Sequence, residues 1–217
     1  MKDERKILRW DKTARLIHWL FIIGVTAGLI SGLPVFNGKI FGILYNLIGG
    51  SSNRIILHYY ITTITLGIAI PLVLYRLICL TRQCDLLIKR GEDWLPCTAD
   101  IKKSVLIFLG WFGVCKERPI IEYHHPLEKF AVIGLHTGLI LLGISGISMA
   151  FFNMEQYKTL LLITHDIGFM LVAIIVIGHV MLALNPVNWE TLKAMLTNGK
   201  VSVTWVKEHH PGWKIDE

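Results

Sequence analysis

Residues 160–184 read LLLITHDIGFMLVAIIVIGHVMLAL, and this stretch decides the fold. A helix needs about 20 apolar residues to cross a hydrocarbon core roughly 30 Å thick. Here the run is longer than that, and its only ionisable side chains are His165, Asp166 and His179. Three further runs share this character, about Leu16 to Val35, Ile55 to Leu80 and Phe130 to Phe152. Composition agrees: 18% of the 217 residues are charged, against about 25% in an ordinary soluble domain. That balance excludes a disordered chain, a disulfide-stapled secreted domain and a soluble enzyme. The expectation is an all-α membrane protein, a four-helix transmembrane bundle forming a single domain over residues 1–217, with a tail from residue 185. The first run lacks a small-residue cleavage site and three spans follow it, so it reads as a span and not as a signal peptide. Residues Ile40 to Ile48 are broken by Gly42 and Asn46 and followed by Gly49-Gly50. They read as a packed or re-entrant element.

Orientation follows from where Lys and Arg fall. Lys2, Arg5, Lys6, Arg9, Lys12 and Arg15 precede the first span, nine more lie between the second and third, and Lys193, Lys200, Lys207 and Lys214 follow the fourth. The opposite side holds only Lys39, Arg54 and Lys158. Nineteen basic residues against three predict cytoplasmic N- and C-termini. The net charge of +6 is thereby a topology signal, open also to anionic lipid, and no nucleic-acid partner is needed to explain it. Within the long cytoplasmic connection, Ile101, Val105, Phe108, Leu109 and Phe112 recur at helical spacing, opposed by Asp100, Lys102, Lys103 and Ser104. That pattern predicts an amphipathic helix in the membrane interface. After Pro186, Asn188 is placed to cap a second short helix with Trp189, Leu192, Met195 and Leu196 on one face, ending at Asn198-Gly199. Cys79, Cys84, Cys97 and Cys115 form no C-x-x-C pair and no C-x-x-C-H, so zinc, thiol-redox and thioether-haem motifs are not indicated.

Ionisable residues inside a bilayer face a cavity, a partner or a cofactor. His18, His58, His136, His165 and His179 all fall in the spans. Given the orientation, His58 and His165 lie at the outer depth and His18 and His179 at the inner. His165 and His179 are fourteen residues apart. On a helix that spacing leaves them ~40° apart in rotation and ~21 Å apart along the axis. Gly168, Val172 and Val176 lie between them, small or β-branched, leaving room for a flat macrocycle, and Gly32 occupies the corresponding place fourteen residues after His18. Two non-covalent b haems, each between two histidines, would fit this arrangement. The same histidines read alternatively as interhelical hydrogen-bond partners or as the lining of a haem-free metal or proton transporter. His136 has no partner at its depth and reads as packing or a proton-path residue. Asp166 has three candidate partners: a haem propionate, an arginine or water.

Three features together resemble the gamma subunit (cytochrome b) of membrane-bound formate dehydrogenases: Arg15-Leu-Ile-His18-Trp19, the four histidines in order, and the tail Gly199-Lys-Val-Ser followed by Trp205-Val-Lys-Glu-His209-His210-Pro211-Gly-Trp213. The resemblance covers essentially the whole chain. It implies that His58 and His165 ligate an outer haem and His18 and His179 an inner one. It also implies an iron–sulfur beta subunit and a molybdenum or tungsten alpha subunit as partners, with formate oxidised on the latter. Electrons would pass to menaquinone or ubiquinone near the cytoplasmic side of a bacterial inner membrane, in anaerobic respiration, and a higher oligomer of the complex is compatible. The family's quinone segment is a Tyr-Asn-x-Gly-Gln-Lys-like stretch before span three. Here it reads Tyr123-His124-His125-Pro126-Leu127-Glu128-Lys129, so Tyr123 and Lys129 match while His124 and Glu128 replace amides. Tyr123, His124, Glu128, Lys129 and His179 are the quinone and proton site so implied. His125-Pro126-Leu127 also resembles a stretch of hydrogenase-type cytochromes. A nickel–iron hydrogenase or a thiosulfate or polysulfide reductase is therefore the alternative partner, and a stand-alone diheme oxidoreductase a further one. His209 and His210 read as tail surface or subunit contacts.

Overall fold

A computed structural model of the chain describes residues 5–82, 95–117, 119–152 and 154–215. Cys84 and the Lys89-Arg90 pair lie outside the described residues. Four helices are long and apolar enough to cross a membrane: α1 (Lys12–Phe36), α4 (Ser51–Arg82), α6 (Pro126–Phe151) and α7 (Lys158–Ala183). Each starts two to four residues before the apolar run that predicts it. The Asp11 carboxylate accepts from the Ala14 N–H at 2.7 Å and opens α1. Pro126 sits in the first turn of α6, where its missing N–H costs nothing. The His125 ring and Glu128 form a reciprocal capping box around it. Between α1 and α4 the glycine-broken stretch folds into two short helices, α2 (Gly38–Phe41) and α3 (Ile43–Ile48), so it is not a fifth span.

α1 packs on α4, and α6 on α7. Both crossings depend on small residues, as expected where lipid is as apolar as the helix surface. A Cβ on Gly24 would fall inside the Thr65 side chain, and one on Gly138 would lie 2.7 Å from Val172 Cγ2 and 3.2 Å from the Gly168 carbonyl. This corrects the sequence reading of the stripe between His165 and His179: Gly168 and Val172 are occupied by the approach of α6, not by open space. A Cβ on Gly32 would lie 3.6 Å from the Phe169 ring. The bundle turns large apolar side chains outward and buries small ones, two serines among them. Ile144, Ile163, Ile174 and Ile177 are all more than half exposed, whereas Ser31 and Ser145 are fully buried.

A compact extramembrane layer closes one end. β1 (Lys6–Leu8) pairs antiparallel with β2 (Lys200–Ser202), Ile7 opposite Val201, so both chain ends lie at the same end of the bundle. α8 (Trp189–Leu196) and α9 (Val203–His209) flank β2. Ala194, Val201, Trp205, Val206 and Trp213 form its core, with Ile7, Trp10 and Tyr123 against it. The expected cap on α8 is corrected. Asn188 stands at the N-cap position of α8 but makes no capping bond there. Its side-chain amide donates to the Leu182 carbonyl at 2.9 Å, while Asn185 Oδ1 accepts from the Val187 N–H in the turn before. The chain turns back after α8 at Gly199, whose φ of +79° favours a residue without Cβ.

The interface helix forms as α5 (Thr98–Trp111), and part of its polar side is held by the protein while Lys102 stays exposed. Asp100 is 1% exposed and accepts from Lys129 Nζ at 3.2 Å. Lys103 reaches Glu122 at 2.9 Å. Ile101, Val105, Phe108 and Phe112 face outward, so the helix docks through Asp100 and Lys103. Burial alone would raise the Asp100 pKa; the Cys97 N–H and the Lys129 ammonium outweigh it and leave it below the usual carboxylate range.

Candidate functional site

The four span histidines meet in two pairs across the bundle. The His58 ring (α4) and His165 ring (α7) have centroids 6.3 Å apart, and His18 (α1) and His179 (α7) 6.1 Å apart. α7 therefore supplies one member of each pair, one near each end. A metal ion bound to one nitrogen of each ring, at about 2.0–2.1 Å per bond, would fit between rings this far apart. Both pairs leave that gap. Among the described residues no group of three or more His, Cys, Asp or Glu gathers to hold a metal, so the donor sets are pairs of imidazoles, the number of axial ligands a haem iron accepts.

Each histidine of the first pair is held through Nδ1 by a serine. Ser31 Oγ lies 2.8 Å from His58 Nδ1, and Ser145 Oγ 3.0 Å from His165 Nδ1. That leaves Nε2 of both rings as the nitrogen open to a ligand. The second pair has no such arrangement: His18 Nδ1 is buried without a hydrogen-bond partner. Sequence reasoning missed both serines; their only signal is a hydroxyl in an otherwise apolar stretch. His136 stands apart, with Nδ1 2.7 Å from the Val132 carbonyl and its ring edge-on to Phe21. Asp166 is exposed.

The residues expected around quinone do not all face one point. Tyr123 is packed edge-on against His124 at 4.5 Å and Trp213 at 4.6 Å, and its hydroxyl donates to the Arg9 carbonyl. His124 Nδ1 is 3.6 Å from Glu128 Oε1. Lys129 is turned to Asp100, and His179 belongs to the pair with His18. Arg9, which the sequence did not single out, is only 6% exposed. Its guanidinium lies 5.0–5.9 Å from the centres of Trp10, Tyr123, Trp205 and Trp213, and it donates to the Tyr123 carbonyl at 2.8 Å.

His210 is also not tail surface. It is 7% exposed and its Nδ1–H donates to the Glu122 carbonyl, while His209 stacks on Trp205. Burial, reinforced by the Arg9 charge, pushes the His210 pKa down to about 4. An undocked tail would titrate near 6.5 and so binds more protons below that. Docking is then fully favoured above about pH 6.5 and weakens as pH falls toward about 4. Between pH 7 and pH 5 the expected loss is about 2 kcal/mol, roughly 20-fold in opening of the tail. Amide exchange across Val203–Trp213, corrected for its intrinsic pH dependence, measures it. Equal protection at both pH values would contradict it.

No curated protein matches the chain. Residues 9–198, which hold all four spans and both histidine pairs, match the family described as prokaryotic cytochrome b561. With four apolar helices and histidines paired at two depths, the chain belongs to the prokaryotic cytochrome b561 family, bacterial membrane subunits that carry haem b and transfer electrons within redox complexes.

Proposed function

We propose that this chain is a diheme transmembrane cytochrome b that carries electrons from a periplasmic formate dehydrogenase iron–sulfur subunit to menaquinone or ubiquinone near the cytoplasmic side. The observation that carries the reading is the pair of histidine bridges with centroids 6.3 and 6.1 Å apart. His58 and His165 would hold the outer haem, and His18 and His179 the inner one. Bound between such pairs, haem b supplies a one-electron carrier at each depth. The formate dehydrogenase partner and its alpha subunit rest on the tail Trp205–Trp213 and on Arg15-Leu-Ile-His18-Trp19. Cytoplasmic termini rest on the basic asymmetry, together with the pairing of β1 and β2 that keeps both ends on one side.

Quinone reduction takes up protons as well as electrons, and the extramembrane layer offers groups to deliver them. His124 Nδ1 and Glu128 Oε1, 3.6 Å apart, can pass a proton between imidazole and carboxylate. Tyr123 stands beside them, its hydroxyl proton given to the Arg9 carbonyl and its oxygen left as an acceptor. The Lys129 ammonium, held by Asp100, is assigned to fixing this segment in place. With proton uptake inside and the electron donor outside, the reaction separates charge across the membrane. A second reading, with a nickel–iron hydrogenase as donor, rests on His125-Pro126-Leu127 at the start of α6.

A reduced-minus-oxidised spectrum with pyridine haemochromogen quantitation tests the core of the proposal. Two b haems per chain are expected; none would leave only a haem-free transporter. Purification of the intact complex then separates the donors: a molybdenum- or tungsten-containing subunit with formate activity supports the first, nickel with hydrogen oxidation the second.

A further inference from the structure

Ser31 Oγ is fully buried and sits 2.8 Å from the Ala27 carbonyl, 3.1 Å from the Gly28 carbonyl and 2.8 Å from His58 Nδ1. A hydroxyl has one proton and a carbonyl can only accept. The proton therefore goes to its own helix, one turn back, and the Oγ lone pair accepts from His58 Nδ1–H. Ser145 repeats the arrangement from another helix, 2.6 Å from the Leu141 carbonyl and 3.0 Å from His165 Nδ1. Each serine is on the helix neighbouring its histidine, Ser31 on α1 for His58 of α4, Ser145 on α6 for His165 of α7. Both rings are thus fixed as the Nδ1–H tautomer with Nε2 free to ligate.

The other pair differs. His18 Nδ1 is buried with no hydrogen-bond partner, and among the described residues His179 makes no side-chain hydrogen bond. The arginines are matched, one about a turn before one histidine of each pair (Arg15 before His18, Arg54 before His58), whereas Asp166 beside His165 has no counterpart at the other pair and adds to the contrast in the same direction. Arg54 donates to the Ser31 carbonyl at 3.1 Å, which further holds that serine in place.

We propose that Ser31 and Ser145 are positioning residues that give the haem between His58 and His165 the lower reduction potential of the two, and so set electron flow toward the His18–His179 pair. Donation from Nδ1–H makes an imidazole a stronger electron donor through Nε2, which stabilises the oxidised metal and lowers its potential. A ring without that acceptor donates less and leaves its metal easier to reduce. Electrons then pass downhill from the doubly hydrogen-bonded pair to the unsupported one, each haem taking up one electron as the other gives one up. This inference rests on the two-haem reading above.

Potentiometric titration of the haem α-band in the intact purified protein tests it, comparing wild type with Ser31→Ala and Ser145→Ala. Two components are expected in wild type. Each variant should shift the lower one upward and leave the upper one in place, and the double variant should narrow the gap further. His18→Ala, which should retain only the His58–His165 haem, assigns the components: its remaining midpoint should be the lower one. The proposal is overturned if neither midpoint moves, if the upper one moves, if His18→Ala retains the upper one, or if both serine variants lose the haem altogether. Wild-type protein with fewer than two haems would instead sink the two-haem reading itself, before any serine variant is made.

Discussion

Replacing His165 by Ala is expected to leave a chain with one haem in place of two, and to stop donor-to-quinone electron transfer. The His165 ring is half of the pair with His58, at 6.3 Å between centroids, and its Nδ1 is fastened to Ser145. Removing it takes away one axial nitrogen and leaves His58 as the single ligand at that depth. Loss of an outer-shell partner alone costs a metal site about 10–100-fold, so loss of a ligand itself should cost more than roughly 100-fold in occupancy. The His18–His179 pair lies toward the other end of α7 and should keep its haem. Haem-to-protein ratio reads the first effect, and quinone reduction in the reconstituted complex the second. Retention of both haems would show that the pairing is wrong.

Lys129→Ala should release α5 from the bundle. Lys129 and Asp100 are 3% and 1% exposed, with Nζ 3.2 Å from Oδ2. Taking away one member of such a pair leaves a buried uncompensated charge, at a cost of about 3–5 kcal/mol. The Asp100 carboxylate would seek water, and the first turn of α5, which it caps through the Cys97 N–H at 2.9 Å, would come away with it. Amide exchange over Thr98–Trp111 should rise strongly. Replacing both members together, Asp100→Leu with Lys129→Met, should restore most of the protection, because an apolar pair of similar size carries no desolvation cost. If exchange in α5 is unchanged in Lys129→Ala, the ion pair does not hold the helix. If the double variant fares as badly as the single one, packing and not charge is responsible.

The spans were legible because a hydrocarbon core imposes length and apolarity on consecutive residues, and α1, α4, α6 and α7 carry both in unbroken runs. Helix rise and rotation are equally local, so the fourteen residues from His165 to His179 already specify one face and two depths of α7. Partners on other helices are not local. Hydrophobic periodicity gave the two faces of α5, but that Asp100 on the charged face would dock on the protein depended on Lys129 in the next helix. The stripe at Gly168 and Val172 read as open space because only the approach of Gly138 fills it.

From the sequence alone came four membrane-crossing helices, a basic asymmetry between the two sides, and histidines placed to meet at two depths. Tertiary structure alone brought β1 to β2 across nearly the whole chain, buried Arg9 among four rings, and turned His210 from surface to core. It also placed Ser31 beside His58 and Ser145 beside His165. The physical reason is the same in each case. Periodicity and hydropathy are properties of neighbours along the chain, whereas a hydrogen bond between Ser145 and His165 exists only once two separate helices have chosen their crossing.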